Sequence, residues 1–465
     1  MANGITDPGS PVMPVSSRLL RNWRRLTARY WGMDAGSTAL RKGATGAFGV
    51  QAGAAGLGMI AHMVLARLLG AEQYGSYVLT LTWIGLLLIP ALLGQDKSVV
   101  RFLSGYVYRG EWSLARGSLR GIRAMVLVSS GAVALLGATL TYLLRSSLGA
   151  ILEQSLLIGF VLLPILAQLQ LSGALHRALK RPISSGLFNE ILRPVALLVV
   201  VLGLWFMLHL QITAALAIGA SALAALIALI LSSWLLAHVW PPEAKAVRPA
   251  YEFRAWSKVG MNMFLGGALD LTVARLDVLV IGALAGSAAV GPYYAAVQLA
   301  RLAGYAGDAV RTNLGPMIAE RYGAGEHEVV KELAHRAAWL TFTVVVPIVT
   351  LLAASGYWLL SLFGPAFTVA YVPLLILLAG RCLAATGGQP GTLMTMTRFE
   401  REVVFIRGGA AVLNLLLCLL LIPLLGTIGV AIGTAAHFIA VRFCSAIFVR
   451  RRTNINTTIF SSGAV

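Results

Sequence analysis

Two apolar stretches within residues 259–314 carry five charged side chains, Asp270, Arg275, Asp277, Arg301 and Asp308. An Asp or Arg at the centre of a membrane-spanning helix costs roughly 2.5–3.5 kcal/mol on insertion scales, so such residues face a polar cavity or one another. On a continuous helix Asp270 and Asp277, seven apart, share a face while Arg275 points away from both. Further on, Gln298, Arg301, Tyr305 and Asp308 form one stripe. One polar stripe per helix is what a cavity wall requires. The chemistry open to such a wall is binding and coupling: a fixed guanidinium holds an anion, and a carboxylate takes up a proton or a cation. A static salt bridge between one of the arginines and an acid on the neighbouring helix is the structural alternative.

The elements that position these residues follow from composition. The chain has 465 residues, 58% of them hydrophobic and only 12% charged, against about 25% charged in soluble domains. Mean hydropathy is +0.80. This is the composition of an all-helical, multi-pass membrane protein. The net charge of +19 could suggest nucleic acid, but that reading needs a basic face on a soluble domain, whereas these charges lie between apolar spans. Cys382, Cys418 and Cys444 all fall in apolar helices and form no metal or disulfide framework.

A spanning helix needs about 20 apolar residues, and twelve such stretches recur. The first set runs approximately from Ala44 to Leu69, Ser76 to Gly94, Ala124 to Leu144, Leu156 to Ala174, Pro194 to Leu210 and Ile212 to Ala237. The second set runs from Val259 to Leu284, Pro292 to Leu314, Ala337 to Phe363, Ala366 to Ala385, Val403 to Leu425 and Thr427 to Val449. Lys and Arg crowd the even-numbered connections and both ends of the chain, whereas the odd-numbered connections contain only Arg145. By the positive-inside rule both termini are cytoplasmic.

An internal repeat organises the spans. LLGAEQYGSY (Leu68 to Tyr77) matches LAGSAAVGPY (Leu284 to Tyr293) at an offset of 216, and Gly110, Glu111 and Arg116 match Gly325, Glu326 and Lys331 at an offset of 215. The shift covers six spans, an even number, so the halves have the same orientation: two parallel-repeat six-helix bundles. The expected divisions are a disordered and basic amphipathic N-terminal segment (1–43), a first bundle (44–237), a Pro-rich cytoplasmic linker (238–258), a second bundle (259–449) and a cytoplasmic tail (450–465). In the N-terminal segment Arg18, Arg21, Arg25 and Arg29 share one helical face, a pattern that fits an anionic membrane surface or a solvated tail fixing orientation. By the repeat, His62 corresponds to Val278, beside Asp277, and could face it across a cavity. Pro164, Pro347 and Pro373 interrupt spans where they could kink helices.

Signatures of enzymes are missing. His327 and Glu328 are followed by Lys331 where a zinc-protease helix needs its second His. Neither a Walker loop, nor a Gly-x-Ser-x-Gly elbow, nor a paired-carboxylate motif occurs. The glycines of GATGAFGVQAGAAGLG lie inside an apolar span, where they serve close helix packing. The chain reads as a non-enzyme without cofactor or metal, and active transport would draw on a source other than bound ATP.

VLARLLGAEQYGSYVLTLTWIGLLL, RLDVLVIGALAGSAAVGPYYAA, LLSLFGPAFTVAYVPLLILLAG and LNLLLCLLLIPLLGTIGVAIGTAA, in this order and spacing, resemble the polysaccharide-transporter branch of the multidrug/oligosaccharidyl-lipid/polysaccharide exporter superfamily. The resemblance covers nearly the whole chain after residue 43. It implies a flippase of the bacterial inner membrane that moves an undecaprenyl-pyrophosphate-linked oligosaccharide for surface-polysaccharide assembly, by alternating access coupled to an ion gradient. The lipid-linked oligosaccharide and membrane lipids are the implied partners, with polysaccharide-assembly proteins as further candidates.

Such a substrate needs a cavity bearing cations, and the fixed cations within spans are Arg67, Arg275, Arg301, Arg381 and Arg442. Arg275 and Arg301 lie deepest. Arg67 and Arg381 lie nearer span ends, where snorkelling competes. With Tyr305 and Gln298 these form the expected substrate wall, and Asp270, Asp277, Asp308 and His62 the expected coupling groups. Since the first bundle offers only His62 and Arg67 where the second has five charges, the cavity should be lopsided toward the C-terminal half. A drug or cation antiporter of the same superfamily is the nearest alternative. A polytopic glycosyltransferase or polysaccharide polymerase is the alternative of another class, and the short connection from Arg145 to Gln154 gives it no large extracytoplasmic loop to work with.

Overall fold

The computed structural model describes the backbone of residues 38–460 apart from Ala274, and side chains from residue 53 onward except 54, 208, 265–274, 306, 309, 312 and 313. The basic N-terminal segment up to residue 37 and the side chain of Asp270 therefore lie outside the described residues. Contacts group residues 47–465 into one compact unit, distinct from residues 1–46.

The described chain is a succession of helices. α1 (Thr38–Leu92) holds the first two expected spans, parted by the non-helical Gly70. The short α2 (Gln95–Arg109) follows, then α3 (Trp112–Leu143) and α4 (Ala150–Ala178). A π-helical turn, Leu187–Leu192, leads into α5 (Arg193–Leu208), and α6 (Ala214–Val239) closes the first half. The seventh span is broken into α7 (Phe253–Val273) and α8 (Leu276–Leu284). Next come α9 (Ser287–Gly323), α10 (His327–Phe363), α11 (Tyr371–Thr386), the short α12 (Pro390–Met396), α13 (Glu400–Leu425) and α14 (Thr427–Thr453).

Among the described residues, nine helical stretches are long and apolar enough to cross a membrane. One of them, Ala55–Leu92, contains two spans, and the charged seventh and eighth spans fall outside the nine, which accounts for the twelve expected from sequence. Leu135, Leu136, Val199, Leu351, Phe405 and Leu424 stand exposed on helix flanks, as lipid-facing side chains do.

The repeat is visible in backbone geometry. Gly70 adopts φ 72°, ψ 174°, and its counterpart Gly286 adopts φ 78°, ψ 171°. Both occupy a region that glycine enters without steric cost. At the second match Gly110 and Gly325 are both left-handed, with φ 72° and 76°. Three backbone hydrogen bonds repeat around them: the amides of Gly110, Glu111 and Trp112 donate to Val107, Tyr106 and Gly110, and those of Gly325, Glu326 and His327 donate to Tyr322, Arg321 and Gly325. Tyr77 and Tyr293, also matched, are both buried, and their hydroxyls meet Ser221 on α6 and Thr434 on α14.

Helix α4 continues through Pro164 and α10 through Pro347, while Pro373 lies in the first turn of α11, where its missing N–H has no intrahelical partner to lose.

Packing differs between the two ends of the unit. At the end carrying the charge-poor connections, one core joins both halves: Leu65, Tyr74 and Tyr77 of α1 pack with Val290 and Tyr293 of α9, Phe363 of α10, and Phe367. At the Lys/Arg-rich end there are two cores. One holds Leu103, Ile122, Trp240 and Trp256, the other Ile318, Val330, Leu393 and Val449. The second contains no residue of the first half. The start of α7 belongs to the first core, and Gln95 Nε2 donates to the Trp256 carbonyl at 3.3 Å.

Candidate functional site

The break in the seventh span positions the first cluster. Neither Gly nor Pro stands between Val273 and Leu276; instead the guanidinium of Arg275 packs against Gly85 of α1 and donates to the Leu81 carbonyl at 3.4 Å. Arg275 thus lies at a cavity of about 120 Å³ together with Asp96, Lys97 and Gln170. The expectation that Asp270 and Asp277 share a helical face involves the side chain of Asp270, which lies outside the described residues; between the two positions the chain leaves helical geometry at Arg275 (φ −125°, ψ −4°).

Asp277 opens α8 and is buried. Its Oδ1 accepts from the Val278 amide at 2.8 Å and its Oδ2 from the Tyr293 hydroxyl at 3.3 Å. With that proton committed, Tyr293 accepts from Thr434 Oγ1 at 3.2 Å. Among the described residues no cationic side chain forms an ion pair with Asp277.

A cavity of about 760 Å³ extends from Asp277 through the second half. Its walls come from α9 to α14. Near Asp277 it is lined by Asn414, Thr434 and His437, and toward the Lys/Arg-rich end by Pro316, Met396 and Arg407. Four arginines line it (Arg311, Arg381, Arg407 and Arg442) against two acids, Asp277 and Asp308. Arg442 Nη1 donates to Gln389 Oε1 at 2.8 Å and to the Gly388 carbonyl at 2.9 Å. Gln389 in turn donates to the Gly307 carbonyl at 3.0 Å, tying α12 and α14 to α9. Arg381 stacks 4.5 Å over the Phe438 ring, and its Nε is buried without a hydrogen-bond partner among the described residues. A buried guanidinium N–H lacking an acceptor is a costly arrangement. His437 Nδ1 and Thr392 Oγ1, on the same lining, are likewise unpartnered.

The remaining sequence candidates fall into separate places. Arg301 Nη1 donates to Gln298 Oε1 at 2.9 Å within α9, and its guanidinium lies 5.8 Å from the Tyr294 ring centroid. Tyr294 meets His62 edge to face at 5.5 Å, and His62 Nδ1 is hydrogen-bonded to the Tyr74 hydroxyl at 3.0 Å. His62 therefore faces tyrosines rather than Asp277. Asp308 pairs with Arg311 at 3.2 Å along α9, with both side chains accessible. Tyr305 is exposed, and Arg67 lies on an exposed side of α1. No group of His, Cys, Asp and Glu suited to a metal ion occurs among the described residues.

Sequence reasoning missed Gln389, Asn414, Thr434 and His437, and left Arg311 and Arg407 among the connections. Asn414 gave a signal, a single amide in the run LNLLLCLLL.

Comparison with known proteins adds a family and a fold. The family model described as polysaccharide biosynthesis protein matches residues 40–306, and that described as MatE matches residues 263–379. Among curated proteins there is no match. Among solved structures, an inward-facing multidrug resistance MATE family transporter of the MOP superfamily superposes with a TM-score of 0.70 at 13% identity, covering 86% of this chain and 94% of its own. The lipid II flippase MurJ in an inward closed conformation gives 0.67 at 13% identity, covering 86% of each chain. A Vibrio cholerae MATE transporter gives 0.56 at 16% identity, covering 90% of this chain and 98% of its own. At these identities the likeness is one of fold.

Proposed function

The chain belongs to the family of polysaccharide biosynthesis proteins, and we propose that within it the protein is a flippase carrying an undecaprenyl-pyrophosphate-linked oligosaccharide across the bacterial inner membrane for surface-polysaccharide assembly. The observation that carries this reading is the cavity of about 760 Å³ in which, among the described residues, four arginines outnumber two acids. Guanidinium groups bind phosphate oxygens bidentately and hold their charge at any working pH. A pyrophosphate presents several such oxygens, and the unpartnered Nε of Arg381 supplies a donor for one. Arg442, held by Gln389, and Arg407 supply further positive charge, with Arg275 and Arg301 on the α1-facing side.

In this reading residues 44–237 and 259–449 act as two bundles that rock about a shared axis. The core that both halves share toward the charge-poor end and the separate cores at the Lys/Arg-rich end support a state closed to the outside and accessible from the cytoplasm. Asp277 is the coupling group: its carboxylate sits at the head of the cavity with Tyr293, Thr434 and Asn414, where a proton or a cation would compensate its charge. Polysaccharide-assembly proteins are proposed partners on the outer side.

The MatE match over residues 263–379 supports a second reading, a drug or cation antiporter. The arginine excess of the cavity opposes a cationic cargo. The test is complementation of a deletion strain: restored surface polysaccharide with unchanged drug accumulation supports the flippase, and restored drug efflux without polysaccharide supports the antiporter.

A further inference from the structure

A second cavity, of about 270 Å³, lies outside the site described above, at the Lys/Arg-rich end of the first half. Its walls are the first turns of α3, the end of α6 and the short helix Pro242–Ala246. Arg116, Arg120 and Arg123 recur at helical spacing along one face of α3, and Lys245 faces them from the linker. No Asp or Glu lines the cavity. Arg116 is already committed, its Nη1 donating to the carbonyls of Lys245 at 2.7 Å and Val247 at 2.6 Å, which fixes the linker as a wall. Arg123 is not: its Nη2 is buried and has no hydrogen-bond partner among the described residues. Four cations around one pocket, with a buried donor that has no partner among the described residues, suit an anion.

The surroundings say what kind. Helices α3 and α6 both pack on α4 and barely touch one another, so a gap separates their flanks. Its rims are apolar and exposed: Leu127 and Val128 on α3, Ile230 and Trp234 on α6. Trp240, on the pocket wall, is buried and marks the interfacial level, where tryptophan collects. A basic pocket between spans that adjoins an apolar gap matches a molecule with an anionic head and acyl tails.

We propose that this pocket binds the phosphate headgroup of an anionic phospholipid from the cytoplasmic leaflet, with an acyl chain in the gap between α3 and α6. The ligand holds the linker against α3 and α6, at the junction between the two halves of the chain. The shared chemistry, a phosphate oxyanion, is also that of free phosphate, and the gap argues for the lipid.

The experiment titrates the full-length protein in neutral detergent with phosphatidylglycerol, phosphatidylcholine or inorganic phosphate, reading bound species by native mass spectrometry and the unfolding temperature in parallel. Saturable binding of phosphatidylglycerol is expected, with a raised unfolding temperature, where phosphatidylcholine and phosphate have no effect. Arg120 and Lys245 have exposed side chains, so Arg120→Gln and Lys245→Gln should fold. Each is expected to weaken phosphatidylglycerol binding about fivefold, and both together about 30-fold, from the typical gain per basic residue at an anionic surface. Arg401→Gln with Arg451→Gln, removing exposed cations elsewhere at the same end, should titrate as the parent. Equal binding of phosphatidylcholine, an effect of phosphate equal to that of the lipid, or a double variant that binds as the parent does would each overturn the proposal.

Discussion

Gly75 and Gly291 lie back to back where α1 crosses α9, in a contact that obeys the internal repeat. A Cβ added to Gly75 would run into the carbonyl oxygen of Ser287, and one added to Gly291 would run into that of Ala71. Ser287 is the repeat counterpart of Ala71, as Gly291 is of Gly75, so each glycine meets the carbonyl equivalent to the one its partner meets. Close backbone approach through small residues is how helices associate in a membrane. Here it seals the end at which the two halves share one core.

Substitution at this crossing should be felt twice over. Gly75→Ala and Gly291→Ala are each expected to destabilise by about 1–3 kcal/mol, the usual cost of overpacking, as read from the unfolding temperature in detergent. Gly408→Ala, in α13 with nothing near the new methyl, should be neutral or slightly stabilising. Equal behaviour of all three would show that the contact is absent in the membrane.

Removing the charge at the head of the cavity should separate coupling from folding. Asp277→Asn keeps shape and one hydrogen-bond acceptor toward Tyr293. Expected are a folded protein and transport that no longer responds to an imposed proton or sodium gradient in vesicles. A gradient response equal to the parent would remove Asp277 from the coupling role.

The arginines of the cavity should control anion recognition. Arg381→Ala and Arg442→Ala are expected to lower polysaccharide assembly roughly 10–100-fold, the typical worth of a hydrogen bond to a charged group. Arg275→Ala and Arg301→Ala should act in the same direction. Variants that are expressed and folded yet assemble polysaccharide normally would refute pyrophosphate binding at these residues.

At the Lys/Arg-rich end, Arg109 pairs with Glu111 at 2.7 Å across the left-handed Gly110. The guanidinium hydrogen bond holds the Glu111 carboxyl below its ordinary range. A carboxyl depressed on folding stabilises above its unfolded pKa, near 4.3, and that contribution fades as pH falls through the folded value. Both side chains are accessible, so the effect is small and salt-sensitive. Glu111→Gln should flatten a slight loss of stability on the acid side and leave neutral pH unchanged, measured by thermal unfolding across pH.

The spans and the repeat were legible in the sequence, which also sets the expected orientation. Long apolar runs admit only helices in lipid, Lys and Arg mark one side of the membrane, and Gly70, Gly110, Gly286 and Gly325 stand where the chain turns with positive φ. Tertiary structure decided the rest. The seventh span breaks at Arg275, whose guanidinium packs against Gly85 and the Leu81 carbonyl of another helix, contacts that leave no trace in the local sequence. Helices apolar all round do not announce which face turns inward, so Asn414, Thr434 and His437 became a cavity wall only once α13 and α14 were placed beside Asp277. His62 was legible as a polar residue in an apolar span, but its partners were not: Tyr74 comes from beyond the Gly70 break in α1, and Tyr294 from the crossing of α1 and α9.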